Sequence, residues 1–419
     1  MSTTSYIPTV EAIKAASGVL EEILEPTPFQ KNQNLCDTYQ AEIYLKREDL
    51  QMVRSYKIRG AYNKIRTLSP EMLTKGIVCA SAGNHAQGVA FSCNKLKIMG
   101  SIFMPTTTPK QKIEQVRMFG REYIEIVLTG DTFDAANAAA IKYSNENGKT
   151  FIPPFDDPKV MEGQGTIGLE IMEQTPVKLD YIFVPIGGGG LASGLGSFIK
   201  HVSPETKVIG VEPLGAPCMK TAIDRGEIVD LDHIDKFVDG AAVKKAGELT
   251  YEVCRLVLDD IIIVPEGAIC TTIINMYNKS AIVVEPAGAL SVAALRFYAD
   301  KIKGKNVACV ISGSNNDITR MEEIREKSLL YEGLKHYFIV NFPQKPGAIL
   351  GFIRDIIGPD DDLVYMQYIK KTNKNFGPAL IGIEVASKEA FKALTDRLDA
   401  SGIEYEYINE NNKLFEILI

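Results

Sequence analysis

Tyr181-Ile182-Phe183-Val184-Pro185-Ile186-Gly187-Gly188-Gly189-Gly190-Leu191 is a short apolar run that ends in four glycines, and a helical pattern over 192–200 follows it. A strand that is apolar at nearly every position is buried on both faces, as in parallel sheets covered by helices. The alternation recurs on either side. Residues 42–46, 76–80, 98–104, 123–128, 207–211, 261–264 and 307–311 read as strands, and 86–96, 110–119 and 132–147 as helices. The expected fold class is therefore α/β, with parallel sheets. Ligands of such sheets bind beyond the carboxyl ends of the strands.

The glycine run lies at such a strand end. It lets the backbone approach a ligand closely, and the helix start adds positive potential, so the place suits a phosphate. Gly-x-x-x-x-Gly-Lys-Ser/Thr is missing, which excludes a nucleoside-triphosphate loop. Gly187, Gly189 and Ala192 meet a relaxed dinucleotide pattern, with Glu212 as the acidic residue on the next strand. That nicotinamide reading leaves three other motifs without a task.

The first of these is Ser55-Tyr56-Lys57-Ile58-Arg59-Gly60, at the start of an apolar helix. A lysine amine held there among backbone donors and apolar walls has a lowered pKa, and a neutral amine forms a Schiff base with an aldehyde. The second, Ser81-Ala82-Gly83-Asn84-His85-Ala86-Gln87-Gly88, offers Asn84 either as a donor to a ring oxygen or as a helix cap. His85 reads as structural. In the third, Val310-Ile311-Ser312-Gly313, Ser312 either ends a strand or meets a pyridine nitrogen. Glu285-Pro286-Ala287-Gly288-Ala289 opens a helix, and the role of Glu285 is open. Glu212 ends a strand with no second carboxylate near in sequence, so no metal is assigned.

At 419 residues, two or three domains are expected. A net charge of −7 without any basic run argues against a nucleic-acid partner. The seven scattered cysteines read as small buried hydrophobes in a reducing compartment. Residues 1–6 carry no signal pattern and no apolar run reaches membrane length, so no membrane partner and a cytoplasmic location are expected. Beyond a charged helix at 317–333 the pattern changes. Strands at 336–341, 363–371 and 379–385, helices at 346–357 and 388–401, and a last strand at 405–408 or 414–417 give the β-α-β-β-α-β order of a ferredoxin-like module.

In this order, the Lys57, Asn84, glycine-run, Glu285 and Ser312 motifs resemble the serine/threonine dehydratases of the tryptophan-synthase-β-like pyridoxal phosphate family, over residues 5–330. The tail from 331 resembles the single ACT-like regulatory domain of its short biosynthetic members. The resemblance implies a fold-type-II enzyme with two parallel-sheet subdomains in a catalytic domain at 1–330, and an ACT-like domain at 331–419. It implies pyridoxal 5'-phosphate as cofactor, with Lys57 as its Schiff-base partner and the catalytic base. Asn84 would meet the ring oxygen, Gly187, Gly188, Gly189, Gly190 and Leu191 the phosphate, and Ser312 the ring nitrogen. Ser81, Ala82, Gly83 and Asn84 would bind the substrate carboxylate.

The implied reaction takes L-threonine to 2-oxobutanoate and ammonia, the first step of isoleucine biosynthesis, with L-serine as second candidate substrate. Isoleucine is the implied feedback effector, with Pro343-Gln344-Lys345-Pro346-Gly347-Ala348 resembling the first ACT loop and Tyr368 a ligand candidate. The implied assembly is a homo-oligomer, a homotetramer. Serine racemases, which are relatives, carry a second serine where this chain has Ala82, and a metal-site aspartate where it has Cys218. The alternatives are a catabolic serine/threonine deaminase, which shares the site, and a non-enzymatic amino-acid sensor, which has no need of Lys57.

Overall fold

The computed structural model describes residues 6–370 and 374–418. Residues 1–5, most of the stretch read for a signal pattern, and Lys371, the end of one expected strand, lie outside them. Packing divides the chain into two compact units, with the division between Asp317 and Ile318.

In the first unit the strands are β1 (Phe29–Lys31), β2 (Glu42–Arg47), β3 (Ile77–Ala80), β4 (Gly100–Met104), β5 (Ile124–Leu128), β6 (Thr150–Phe151), β7 (Tyr181–Pro185), β8 (Lys207–Pro213), β9 (Asp260–Val264) and β10 (Asn306–Ile311). They form one sheet ordered β1-β2-β10-β7-β8-β9 and another ordered β5-β4-β3-β6. Every pairing is parallel except that of β1 with β2. The fold is thus the α/β arrangement expected, with an antiparallel edge strand that apolar patterning did not announce. Each sheet has its own core, around Ile182, Leu195 and Phe198 in the larger and around Ile77, Val89 and Ile102 in the smaller.

The strand order positions the site. β2, β10 and β7 are neighbours, so the turns that follow them come together although β2 and β10 lie far apart in sequence. The smaller sheet is an insertion between β2 and β7, and its β3 leads into the helix Asn84–Leu96. That helix crosses the start of the helix Lys57–Arg66 closely. A Cβ at Gly88 would lie 3.2 Å from the backbone of Ile58 and Lys57.

Arg59, 1% exposed, anchors the Lys57–Arg66 helix from below. Its guanidinium donates to both oxygens of Glu48 at 2.8 Å, and to Glu170 at 2.6 and 2.9 Å. Lys46 pairs with Glu170 as well and donates to the Thr27 carbonyl at 2.7 Å. Four buried charges so share one hydrogen-bonded cluster, the condition under which burying charge is tolerated.

In the second unit a 3-10 turn, Ile318–Arg320, precedes the helix Met321–Glu332. β11 (Lys335–Pro343), the helix Ala348–Asp355, β12 (Asp362–Tyr368), β13 (Phe376–Glu384), the helix Lys388–Ser401 and β14 (Tyr405–Tyr407) follow. The antiparallel sheet runs β12-β13-β11-β14, the ferredoxin-like order, over a core that includes Phe338, Phe342, Phe352 and Leu394. Of the two candidate last strands the one at 405 forms, whereas 414–417 falls in the helix Asn412–Leu418. All seven cysteines are buried and none is in a disulfide. Among the described residues no helix is long and apolar enough to cross a membrane.

Candidate active site

Lys57 is the first residue of its helix, and the turn before it is stitched to the end of β10. Tyr56 N–H donates to the Ser312 carbonyl at 3.1 Å, Ser314 N–H to the Arg54 carbonyl at 2.9 Å, and Ser55 bridges to Gly313. The Lys57 Nζ donates to the Pro154 carbonyl at 2.9 Å. It thus meets a backbone acceptor where donors were expected. Burial brings the amine down to about 8, opposed in part by the charge of Glu285. Ser312 is 2% exposed, and its hydroxyl donates to the Ala287 carbonyl at 3.2 Å.

Asn84 opens its helix but does not cap it, since Gly83 holds the cap position without a side-chain bond. Its amide donates to Glu285 Oε1 at 2.6 Å and accepts from Asn315 Nδ2 at 2.6 Å. Glu285 is almost wholly buried. Burial, then the charge of Asp239, pushes its carboxyl up to about 7.

Gly189 has φ +95° and precedes the helix Gly190–Val202. A Cβ at Gly188 would lie 2.4 Å from the ring of Phe155, and one at Gly190 2.9 Å from the Phe155 Cβ. Two of the four glycines therefore answer to the packing of Phe155. The turn still delivers the first amides of a helix, which have no intrahelical acceptor, to the end of β7.

One cleft is lined by Lys57, Asn84, Gly187 and Ser312, together with Tyr56, Glu285, Ala287, Pro185, Ile186, Gly240 and Ala241. Four residues given a cofactor role in the sequence, and Glu285, whose role was open, so meet on one surface. Gly188, Gly189, Gly190 and Leu191 continue from Gly187 into the helix and do not line it. Ser81, Ala82 and Gly83 form the half-buried turn before Asn84, with Ser81 Oγ accepting from Gly83 N–H at 3.2 Å.

The Pro154 carbonyl, Tyr56, Gly240 and Ala241 escaped the sequence reading. For Pro154 a signal existed in Asp156-Asp157-Pro158, an aspartate pair at a proline-led helix start. Asp157 caps the helix Pro158–Gln174, and Asp156 accepts the N–H groups of Glu248, Leu249 and Thr250. Gly240 and Ala241 sit in an irregular segment without periodicity.

Glu212 is spent locally, accepting from Met219 and Lys220 N–H at 2.8 Å each. It is therefore the partner of a helix start, not a nucleotide ligand. Among the described residues no group of three or more His, Cys, Asp or Glu is arranged to hold a metal. His85 is buried against the Ile152 carbonyl at 2.9 Å, and burial with the nearby Lys57 charge brings it down to about 3, so the ring is neutral.

The donor set fits pyridoxal phosphate. It offers an amine of lowered pKa for the aldehyde, a carboxamide and a hydroxyl for the ring, and a glycine turn at a helix start for the phosphate.

Comparison with known proteins agrees. A model of the pyridoxal-phosphate dependent enzymes matches residues 20–313, and one of the C-terminal regulatory domain of threonine dehydratase matches residues 326–418. The biosynthetic L-threonine dehydratase of Halalkalibacterium halodurans is 57% identical, covering 98% of this chain and 99% of the relative. That of Bacillus subtilis is 53% identical, over 99% and 98%. The solved structure of processed threonine deaminase isoform 2 from Solanum lycopersicum superposes with a TM-score of 0.72 at 38% identity, over 77% of this chain and 96% of that one. The chain belongs to the pyridoxal-phosphate dependent enzymes and carries the C-terminal regulatory domain of threonine dehydratase.

Proposed function

We propose that the protein is a threonine ammonia-lyase, converting L-threonine to 2-oxobutanoate and ammonia as the first step of isoleucine biosynthesis. What supports this most is the meeting of Lys57, Asn84, Gly187 and Ser312 on one cleft. Threonine as the substrate follows from the two near-full-length relatives named for it.

Bound pyridoxal phosphate supplies an aldehyde for the substrate amine and a conjugated ring that accepts the electrons of the Cα–H bond. The residues of the chain do the rest. Lys57, with a pKa of about 8, has a neutral fraction at physiological pH, and as a free amine it takes the Cα proton as general base. The resulting Lys57 ammonium can return that proton to the β-hydroxyl, which leaves as water. Asn84 would hold the ring oxygen, and the backbone amides from Gly187 to Leu191, at the start of their helix, would hold the phosphate. Ser312 would meet the ring nitrogen with a neutral hydroxyl, which would not keep that nitrogen protonated as a carboxylate would. A neutral partner there would favour expulsion of the β-hydroxyl over transamination. The turn Ser81, Ala82, Gly83 and Asn84 offers backbone and side-chain donors to the substrate carboxylate. Lys57→Ala is expected to abolish both turnover and the absorption of the bound cofactor; a variant that still turns over threonine would contradict the assignment.

Isoleucine is the effector proposed for the regulatory unit. A hollow of about 430 Å³ there is lined by the loop Lys345, Pro346, Gly347 and Ala348, by Ile349 and Leu350, and by Tyr368 and Lys370. Two ammonium groups suit a carboxylate, and the apolar side chains suit a branched one. Tyr368→Ala is expected to raise the isoleucine concentration needed for half-inhibition about tenfold, the size of one lost aromatic contact. Unchanged sensitivity would place the effector elsewhere. A homo-oligomer in the cytoplasm completes the proposal, the latter supported by seven cysteines without a disulfide.

A further inference from the structure

Glu285 has no part in the steps above, yet it touches one of the residues that carry them. Only 4% exposed, it is seated against the turn after β10, where its N–H donates to the Gly313 carbonyl at 3.2 Å. A Cβ at Gly313 would lie 2.4 Å from Glu285 Oε1. That oxygen receives Asn84 Nδ2 at 2.6 Å. On the other end of the same carboxamide, Asn315 Nδ2 donates to Asn84 Oδ1 at 2.6 Å. Asn315 is held in turn by the Val53 carbonyl, 3.0 Å from the same nitrogen.

The two ends of a carboxamide are nearly equal in shape, so its orientation is decided by hydrogen-bond partners and not by packing. A carboxylate only accepts, and therefore demands the NH2 end. The NH2 of Asn315 only donates, and therefore demands the oxygen. Asn84 is thus clamped from both sides. One of its two N–H bonds is used on Glu285 and the second remains, on a side chain that lines the cleft with Lys57 and Ser312.

We propose that Glu285 is a positioning residue. It orients the Asn84 amide so that an N–H, and not the carbonyl oxygen, is presented to the ring hydroxyl oxygen of pyridoxal phosphate. This rests on the role given to Asn84 above. Asp239, Lys112, Lys57 and Tyr56 are the charged or titratable groups that sense Glu285 or act on it. A protonated Glu285 still offers Asn84 its carbonyl oxygen, so the orientation survives its titration. For the same reason glutamine is the conservative replacement.

The test compares cofactor affinity and the absorption band of the bound cofactor in the full-length holoenzyme for Glu285→Ala, Glu285→Gln and Asn84→Ala. Glu285→Ala should weaken cofactor binding about tenfold and move the band in the same direction as Asn84→Ala, as loss of one charge-assisted hydrogen bond implies. The double variant should go no further than Asn84→Ala alone. Glu285→Gln should restore both readouts. If Glu285→Ala keeps the wild-type band and affinity while Asn84→Ala loses them, the positioning role is overturned and the role of Asn84 stands. If Asn84→Ala itself changes neither, both fall. Should Glu285→Ala not fold, Glu285→Asp withdraws the carboxylate by one methylene and carries the same expectation, and a wild-type band there overturns the proposal equally.

Discussion

Lys57 and Arg59 lie two residues apart in one helical turn, both largely removed from water, and they meet opposite surroundings. Around Arg59 each charge has a partner of opposite sign within hydrogen-bond distance. Burial there pushes Glu48 up and Arg59 down, but their mutual attraction wins, and both are held in their charged forms. Around Lys57 the amine has a carbonyl for its partner, and the charge of Glu285 is too weak an influence to offset burial. Both of these groups are displaced toward neutrality, Lys57 down to about 8 and Glu285 up to about 7. The first arrangement suits a foundation. The second suits chemistry, since a general base must be able to lose its proton near working pH. Between Arg59 and Lys57 it is the direction of displacement, and not burial alone, that differs, whereas Lys46 in the anchoring cluster is also lowered by burial and is held by its ion pair with Glu170.

That contrast can be broken at either end. The largest effect is expected at the foundation. Arg59→Met leaves Glu48 buried without its ion-pair partner and Glu170 with Lys46 alone, and should destabilise the catalytic unit by about 3–5 kcal/mol, measured by urea unfolding. A loss below about 1 kcal/mol would mean that the cluster does not anchor the helix.

A smaller effect is expected at the site. Because the folded pKa of Lys57 lies below the ordinary 10.5, the neutral amine is present at a lower pH than in an unfolded chain. The rate at which the apoprotein takes up pyridoxal phosphate should therefore rise about tenfold per pH unit and level off above about 8. A rate still rising toward pH 10 would show an ordinary lysine. The same displacement sets a stability trend of known sign. Between about 8 and 10.5 the unfolded chain binds the extra proton, so this group makes the apoprotein more stable as pH rises through that window.

Much of this was legible in the sequence, for identifiable reasons. Strands such as Tyr181–Pro185 and Asn306–Ile311 are apolar at nearly every position because both faces are covered, and such runs are conspicuous. β1 is three residues long and half exposed, and β6 has only two residues, so neither carries a period to detect. The helix Pro158–Gln174 is interrupted by Gly163, Gly165 and Gly168, which read locally as breakers. In the folded chain a Cβ at any of them would come within 3.3 Å of a neighbouring segment, and the reason for the glycine lies in that segment. Arg59 has the same difficulty, since a lone arginine in a helix reads as solvated until Glu48 and Glu170 are seen beside it. At the site, the lysine, the amide, the glycines and the serine were visible because each follows a strand. What was not visible was the clamp on Asn84, whose partners Glu285 and Asn315 lie 201 and 231 residues away.

The most direct test is to reduce the holoprotein with borohydride and map the resulting peptides by mass. A pyridoxyl phosphate adduct on Lys57 is the predicted result. An adduct on any other lysine, with Lys57 unmodified, would contradict the assignment of the reactive amine.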